Sequence, residues 1–195
     1  DRGKRMREKQ QEKIEAILRA TLELISEQGF QGTPMSQIAQ RADIGVGTIY
    51  RYFSNKEDLI NVLYIDVKTR LVQHTLRNFS EDMPVQESFI LILRNIIDYF
   101  VANPAELLFI EQYANSPLIT SATREEGLRM FASLTHLFER AKEENLLKNL
   151  PLEMISTLAY GAAISLVKLR LFSVVKPDDS LLNAGVDAIW DAIKQ

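Results

Sequence analysis

The sequence predicts an all-α protein: an N-terminal three-helix unit with a helix-turn-helix, joined to a C-terminal helical bundle, about nine helices in total. Apolar residues recur every three or four positions along most of the chain, the helical period, and few segments alternate with period two. The six prolines fall at helix starts or in connections. Residues with capping chemistry stand ahead of several apolar runs. The composition agrees. Of 195 residues, 46% are hydrophobic and 25% charged, as in ordinary globular domains. With no cysteine, a disulfide framework, a thiolate metal site and a cysteine nucleophile are excluded.

In chain order, Ile14, Ile17, Leu18, Thr21, Leu22 and Ile25 form the apolar stripe of a helix near 8–28. Gly29 then supplies a left-handed C′ residue, and Phe30 can fold back on the last turn. Two short helices follow, near 35–42 and 46–53, separated by Asp43-Ile44-Gly45. Longer helices are expected near 56–78, 84–102, 104–115, 123–147, 152–174 and 179–194. Pro34, Pro104 and Pro151 sit where a first helical turn tolerates them. Asn103-Pro-Ala-Glu106 and Thr123-Arg-Glu-Glu126 read as capping boxes, and Asn55-Lys-Glu-Asp58 as a weaker one. Pro84, Pro117 and Pro177 fall in connections. There is no internal repeat or low-complexity stretch. No apolar run reaches the roughly 18 residues of a membrane span. The basic start runs into a helix, not an apolar signal core, so no export signal is expected. The change from short to long helices divides the chain into residues 1–55, with a basic N-terminal arm, and residues 56–195.

The short pair has packing requirements that the residues meet. Ile38 and Ala39 face inward, Ile44 plugs the turn, and Ile49 and Phe53, four apart, bury the inner face of the third helix. The outer face is then Val46, Gly47, Thr48, Tyr50, Arg51 and Tyr52. Hydroxyls and guanidinium groups are what bond phosphate oxygens and base edges. The formal net charge of −3 argues mildly against a nucleic-acid partner. Its distribution does not: residues 1–60 hold 10 basic and 9 acidic residues, whereas 61–195 hold 13 and 17. Between Ser36 and Lys56 stand Arg41, Arg51 and Lys56 against Asp43 alone. Arg2, Lys4, Arg5, Arg7, Lys9 and Lys13 make the arm basic.

The string from Gly29 to Leu59, GFQGTPMSQIAQRADIGVGTIYRYFSNKEDL, resembles the DNA-binding signature of the TetR family of transcriptional regulators, over about residues 10–60. The resemblance implies a cytoplasmic, homodimeric, all-helical repressor that binds double-stranded DNA at a palindromic operator and is released by a small-molecule effector. It implies no enzyme activity and no cofactor. Thr48, Tyr50, Tyr52 and Lys56 match phosphate-holding positions. Val46 and Arg51 match positions near base edges, and Ser36 and Gln37 a further DNA-proximal pair. Asp43 stands where the family often has glycine in the turn, and Asp tolerates the left-handed region. Gly45 replaces the frequent serine cap, and Pro34 a frequent threonine, leaving Thr33 as the expected cap.

In the bundle, Gly161-Ala162-Ala163 lie mid-helix, where glycine costs about 1 kcal/mol of helix propensity relative to alanine. Close approach of another helix would compensate. Gly185 and Ala188 stand beside Leu182, Val186, Ile189, Trp190 and Ile193 on the last helix. These two helices would either bury each other within one chain or build a four-helix interface with a second copy; the resemblance implies the second. Phe100, Phe109, Tyr113, Met130, Phe131, Leu134, Phe138 and Tyr160 could line a ligand pocket. Gln112, Thr135, His136 and Lys168 could supply its few polar contacts. A largely hydrophobic effector is expected, with any anionic end near Lys168 or Arg170. His136 also reads as a partly buried, hydrogen-bonded imidazole. Leu71 and Ser133 stand three residues before His74 and His136, so no Glu-x-x-His metal pair precedes either. No metal site is expected. No phosphate loop or nucleophile elbow suggests a catalytic residue.

Overall fold

The computed structural model describes residues 2–195. Asp1 and the side chain of Arg2, part of the basic arm, lie outside the described residues. The described residues form ten helices: α1 (Arg2–Gln28), α2 (Met35–Arg41), α3 (Val46–Ile49), α4 (Lys56–Thr75), α5 (Val85–Ala102), α6 (Pro104–Tyr113), α7 (Ser121–Arg129), α8 (Ala132–Glu143), α9 (Leu152–Phe172) and α10 (Asp179–Ile193). The described residues contain no strand, only an isolated antiparallel bridge between Leu147 and Lys194.

Ten helices, not nine, arise because the segment expected as one helix over 123–147 is interrupted at Met130–Phe131. It also starts earlier than its expected box: Thr120 is the cap, its Oγ1 accepting the Thr123 N–H at 3.1 Å. The first helix runs back to Arg2, with residues 3–13 exposed. Gly29 has φ of 73° and its N–H donates to Ile25 O at 2.8 Å, the expected left-handed stop.

The chain forms two compact units. The first holds the residues up to Val67 together with Ala105–Gly127, so it is cut differently from a division at 55/56. The reason is packing: Phe109, Ile110, Tyr113 and Ile119 join Ile17, Leu24, Ile38, Ala39, Ile49, Leu59 and Leu63 in one buried cluster. Asn61 holds the α6–α7 connection, its amide donating to Leu118 O and its carbonyl accepting the Thr120 N–H. Arg124 closes that connection on the carbonyls of Ala114, Ser116 and Ile119.

The second unit is Lys68–Pro104 with Leu128–Gln195. Its core joins Phe89, Leu93, Ile96 and Phe100 of α5 to Ile155, Ala159, Ala163 and Val167 of α9 and Val186, Ile189 and Trp190 of α10. The Phe89 ring meets Phe138 edge-on at 5.0 Å and Trp190 at 5.4 Å. The close approach falls at Gly185, where a Cβ would lie 2.9 Å from Leu166 Cδ1, not at Gly161, for which it was expected. Nothing lies within 4 Å of where the Gly161 Cβ would be. α9 corrects a second expectation. It is long and apolar enough to cross a membrane, with a mean hydropathy of 1.4. The run escapes notice because it is built from two apolar stripes on one helix, with polar residues between them. Ile155, Ala159, Ala163 and Val167 form the buried stripe, while Met154, Leu158, Leu169 and Phe172 are exposed.

Candidate nucleic-acid interface

The α2–α3 junction fixes how the third helix is presented. α2 ends at Ala42, Asp43 takes φ of 55°, the Ile44 N–H donates to Ala39 O and the Asp43 N–H to Gln40 O. This is a Schellman stop, with Ile44 packed onto the core beside fully buried Ala39. Gly45 is extended, and its carbonyl accepts the Thr48 N–H at 2.8 Å as α3 begins. The regular helix is shorter than the expected 46–53. After Ile49 two bonds tighten to the i,i+3 type, Arg51 N–H to Thr48 O and Tyr52 N–H to Ile49 O, before the Phe53 N–H closes an i,i+4 bond on Ile49 O. The facing is as expected. Ile49 is fully buried and Phe53 nearly so. Val46, Gly47, Tyr50 and Arg51 are exposed, and Thr48 and Tyr52 half-buried.

Ser36 and Gln37 are exposed on the first turn of α2, and Gln37 Oε1 accepts from Gln28 Nε2 at 2.6 Å. Thr33 is not the cap of this helix. It is fully buried, and its hydroxyl donates back to Gly29 O at 2.8 Å. Ahead of α4 one half of the weaker box forms, Asn55 Oδ1 accepting the Asp58 N–H, while Asp58 Oδ2 accepts the N–H of Ser54, one residue before the cap. Lys56, which follows that cap, donates from Nζ to Phe30 O at 2.7 Å and lies 4.2 Å from the Phe30 ring centroid. Arg41 forms a two-bond fork on Glu27, at 3.0 Å each, and reaches Glu23 at 3.3 Å. These bonds, to Glu27 first, raise the Arg41 pKa further, and the Arg41 bond holds the Glu27 carboxyl below its ordinary range. Arg41 therefore adds less positive field than a count of basic residues suggests.

The residues expected around a ligand fall in several places. The Phe109 and Tyr113 rings meet tilted, centroids 5.4 Å apart, in the core of the first unit, beside a 340 Å³ cleft also lined by Ile25, Leu108 and Gln112. Tyr113 Oη accepts the Phe30 N–H at 3.2 Å, so the Phe30 peptide is held at both ends, by Tyr113 and Lys56. Sequence periodicity marked Tyr113 as inward but not as a support of the short-helix unit. In the second unit, Phe100 is fully buried against Tyr99 and Phe138 packs on Phe89. Phe131 and Leu134 are half-buried, while Tyr160, Thr135 and Lys168 are exposed. His136 is not partly buried as expected: its side chain is 78% exposed on α8, with Nδ1 3.8 Å from Glu139 Oε2. It borders a 40 Å³ cavity with Phe79, Glu81 and Arg140. Arg170 reaches the Pro177 carbonyl and Asp179. The cation the sequence reading passed over is Lys68 on α4, half-buried 5.4 Å from the Phe131 ring centroid. Burial pushes its pKa down. Its signal in the sequence is an apolar flank, Val67 and Leu71.

Known proteins match on both units. Residues 17–63 match the model of bacterial regulatory proteins of the tetR family, and residues 84–194 that of a tetracyclin repressor-like C-terminal domain. A putative TetR-family transcriptional regulator from Vibrio parahaemolyticus is 32% identical, covers 93% of this chain and 98% of its own, and superposes with a TM-score of 0.80. An HTH-type transcriptional regulator of Haemophilus influenzae is 25% identical over 97% of this chain and 100% of its own. The HTH-type transcriptional repressor KstR of Mycolicibacterium smegmatis is 45% identical over 53 residues, 27% of this chain and 26% of its own. The two models together take in the helix-turn-helix and most of the second unit, and the chain belongs to the TetR family of DNA-binding transcriptional regulators, which are not enzymes.

Proposed function

We infer that this regulator is a ligand-responsive repressor that binds a palindromic operator as a homodimer in the cytoplasm and is released by a small, largely hydrophobic effector. The observation that carries it is the facing of the 46–53 segment: Ile49 and Phe53 buried, with Val46, Tyr50 and Arg51 turned to solvent. Arg51 and Val46 read base edges. Thr48, Tyr50, Tyr52 and Lys56 hold phosphates, with Ser36 and Gln37 beside them. Lys56 does so from a position set by its bond to Phe30 O. In functional terms residues 1–55 carry the DNA contacts, and residues 56–195 carry the effector site and the dimer face.

Support for the dimer comes from the second stripe of α9. Met154, Leu158, Leu169 and Phe172 are exposed beside Gly161, and Leu181 is exposed on α10. A paired copy of the same two helices covers this surface and gives Gly161 the close neighbour its own chain does not supply. The similarity of the N-terminal segment to a named repressor supports repression. Selection of bound sites from random DNA with the purified protein tests the proposal. The expected result is a palindrome whose half-sites lie about 34–36 Å apart or a multiple of that. Failure to enrich any sequence overturns it.

A further inference from the structure

We propose that Gln28, the last residue of α1, is a positioning residue for DNA binding: its amide fixes that of Gln37 on α2, so that Gln37 meets DNA as a hydrogen-bond donor and holds a phosphate oxygen. The inference rests on the operator-binding reading above and deepens it with a residue outside the two short helices.

A carboxamide carries a carbonyl acceptor and an NH2 donor on one carbon, and a half-turn about the preceding bond exchanges them. A glutamine able to turn can offer either edge, and it reads adenine by offering both at once, accepting from N6 and donating to N7. Gln37 is not placed to do so. Gln28 Nε2 donates to Gln37 Oε1 at 2.6 Å, and among the described residues neither carboxamide makes another hydrogen bond. The Gln37 oxygen is therefore engaged on the α1 side, and its NH2 is left for a partner outside the chain. Both side chains are exposed, so such a partner can reach them. Close packing sets the platform under this bond. The loop after α1 lies directly on the Gln28 backbone: a Cβ at Gly32 would stand 2.5 Å from Gln28 O. Gln37 and Arg41 are four apart on α2 and share a face. Arg41 forks on Glu27, the residue before Gln28. α2 is thus clasped to the end of α1 at two successive residues, once by charge and once by paired amides. The charged clasp turns its cation inward, whereas the amide clasp leaves N–H groups facing solvent. Most protein–DNA hydrogen bonds go to phosphate and sugar oxygens, which only accept or are met by donors such as this one.

The test is fluorescence anisotropy of the full chain on the selected operator, repeated on duplexes carrying a neutral methylphosphonate at one phosphate at a time. Gln37→Ala should weaken binding about tenfold, the scale of a hydrogen bond to a charged group, and Gln28→Ala about threefold. The double variant should be no weaker than Gln37→Ala, because Gln28 acts through Gln37. Gln28→Glu should weaken binding more than Gln28→Ala does. A carboxylate only accepts, so it takes the Gln37 NH2 and turns the Gln37 oxygen toward DNA; the same substitution in the Gln37→Ala background measures the added charge alone. At one phosphate, the methylphosphonate should weaken the wild type clearly more than either alanine variant. Single losses that multiply in the double variant would make Gln28 an independent structural support and overturn the inference. So would a Gln37→Ala effect that follows one base pair and no phosphate, which would make Gln37 a base reader. Should Gln37→Ala bind like the wild type while Arg51→Ala binds more weakly, the operator reading stands and this inference falls. If no operator is enriched at all, the operator reading falls and this inference with it.

Discussion

Arg51 and Tyr113 do different work for one surface. Arg51 is exposed on the outer face and has the chemistry to form a bidentate contact with guanine. Arg51→Ala is expected to weaken operator binding by about 1–3 kcal/mol and to relax preference at one base position, read by fluorescence anisotropy on the selected site and its single-base variants. Tyr113 is buried. Its hydroxyl accepts the buried Phe30 N–H, and Lys56 takes the carbonyl of the same residue. Tyr113→Phe keeps the ring and strips the acceptor, which should cost about 1–3 kcal/mol of unfolding free energy in a urea titration. An unchanged midpoint would show that Phe30 does not depend on this bond.

At the scale of elements, what could be read from sequence was what neighbours in sequence decide. Gly29 and Asp43 both take the left-handed backbone expected of them, because a helix stop is made by the last turn and the residue after it. Asp43→Val should therefore destabilise the fold by about 1–2 kcal/mol, since a β-branched residue at φ of 55° crowds its own carbonyl; thermal denaturation measures it. The inward set Ile38, Ala39, Ile49 and Phe53 was legible for the same local reason. The interruption at Met130–Phe131 was not, since neither proline nor glycine marks it, and periodicity continues across it. Period tells that Phe109 and Tyr113 point inward, never which core they enter; they lie in the core of the first unit, beside its cleft. Thr33 competed for two local partners, and the carbonyl of Gly29 took it. Lys68 went unseen because a lone lysine in a helix is usually a surface charge, and only its neighbours on other helices bury it.

For the whole molecule, the exposed stripe of α9 is the feature with the largest consequence for assembly. If the proposed dimer forms through this stripe, Leu158→Glu with Leu169→Glu, at 54% and 46% exposure, should leave the monomer folded and abolish that dimer in sedimentation velocity. Operator affinity should fall with it, because two half-sites then bind as separate events. A double variant that remains dimeric would move the interface elsewhere. The charge asymmetry acts at this scale too. With 17 acidic and 13 basic residues in 61–195, attraction to DNA of arbitrary sequence should be modest, and affinity should rest on paired contacts. The first compact unit also has a practical meaning for domain exchange. Cut at 55/56, a transplanted reading head would leave behind Phe109, Ile110, Tyr113 and Ile119, which complete its core, and Phe30 would lose the acceptor of its N–H. The portable cassette is discontinuous: residues up to Val67 must travel with Ala105–Gly127. Recombination that shuffles ligand domains behind a fixed reading head would have to respect three crossover points, at 67/68, 104/105 and 127/128, not one.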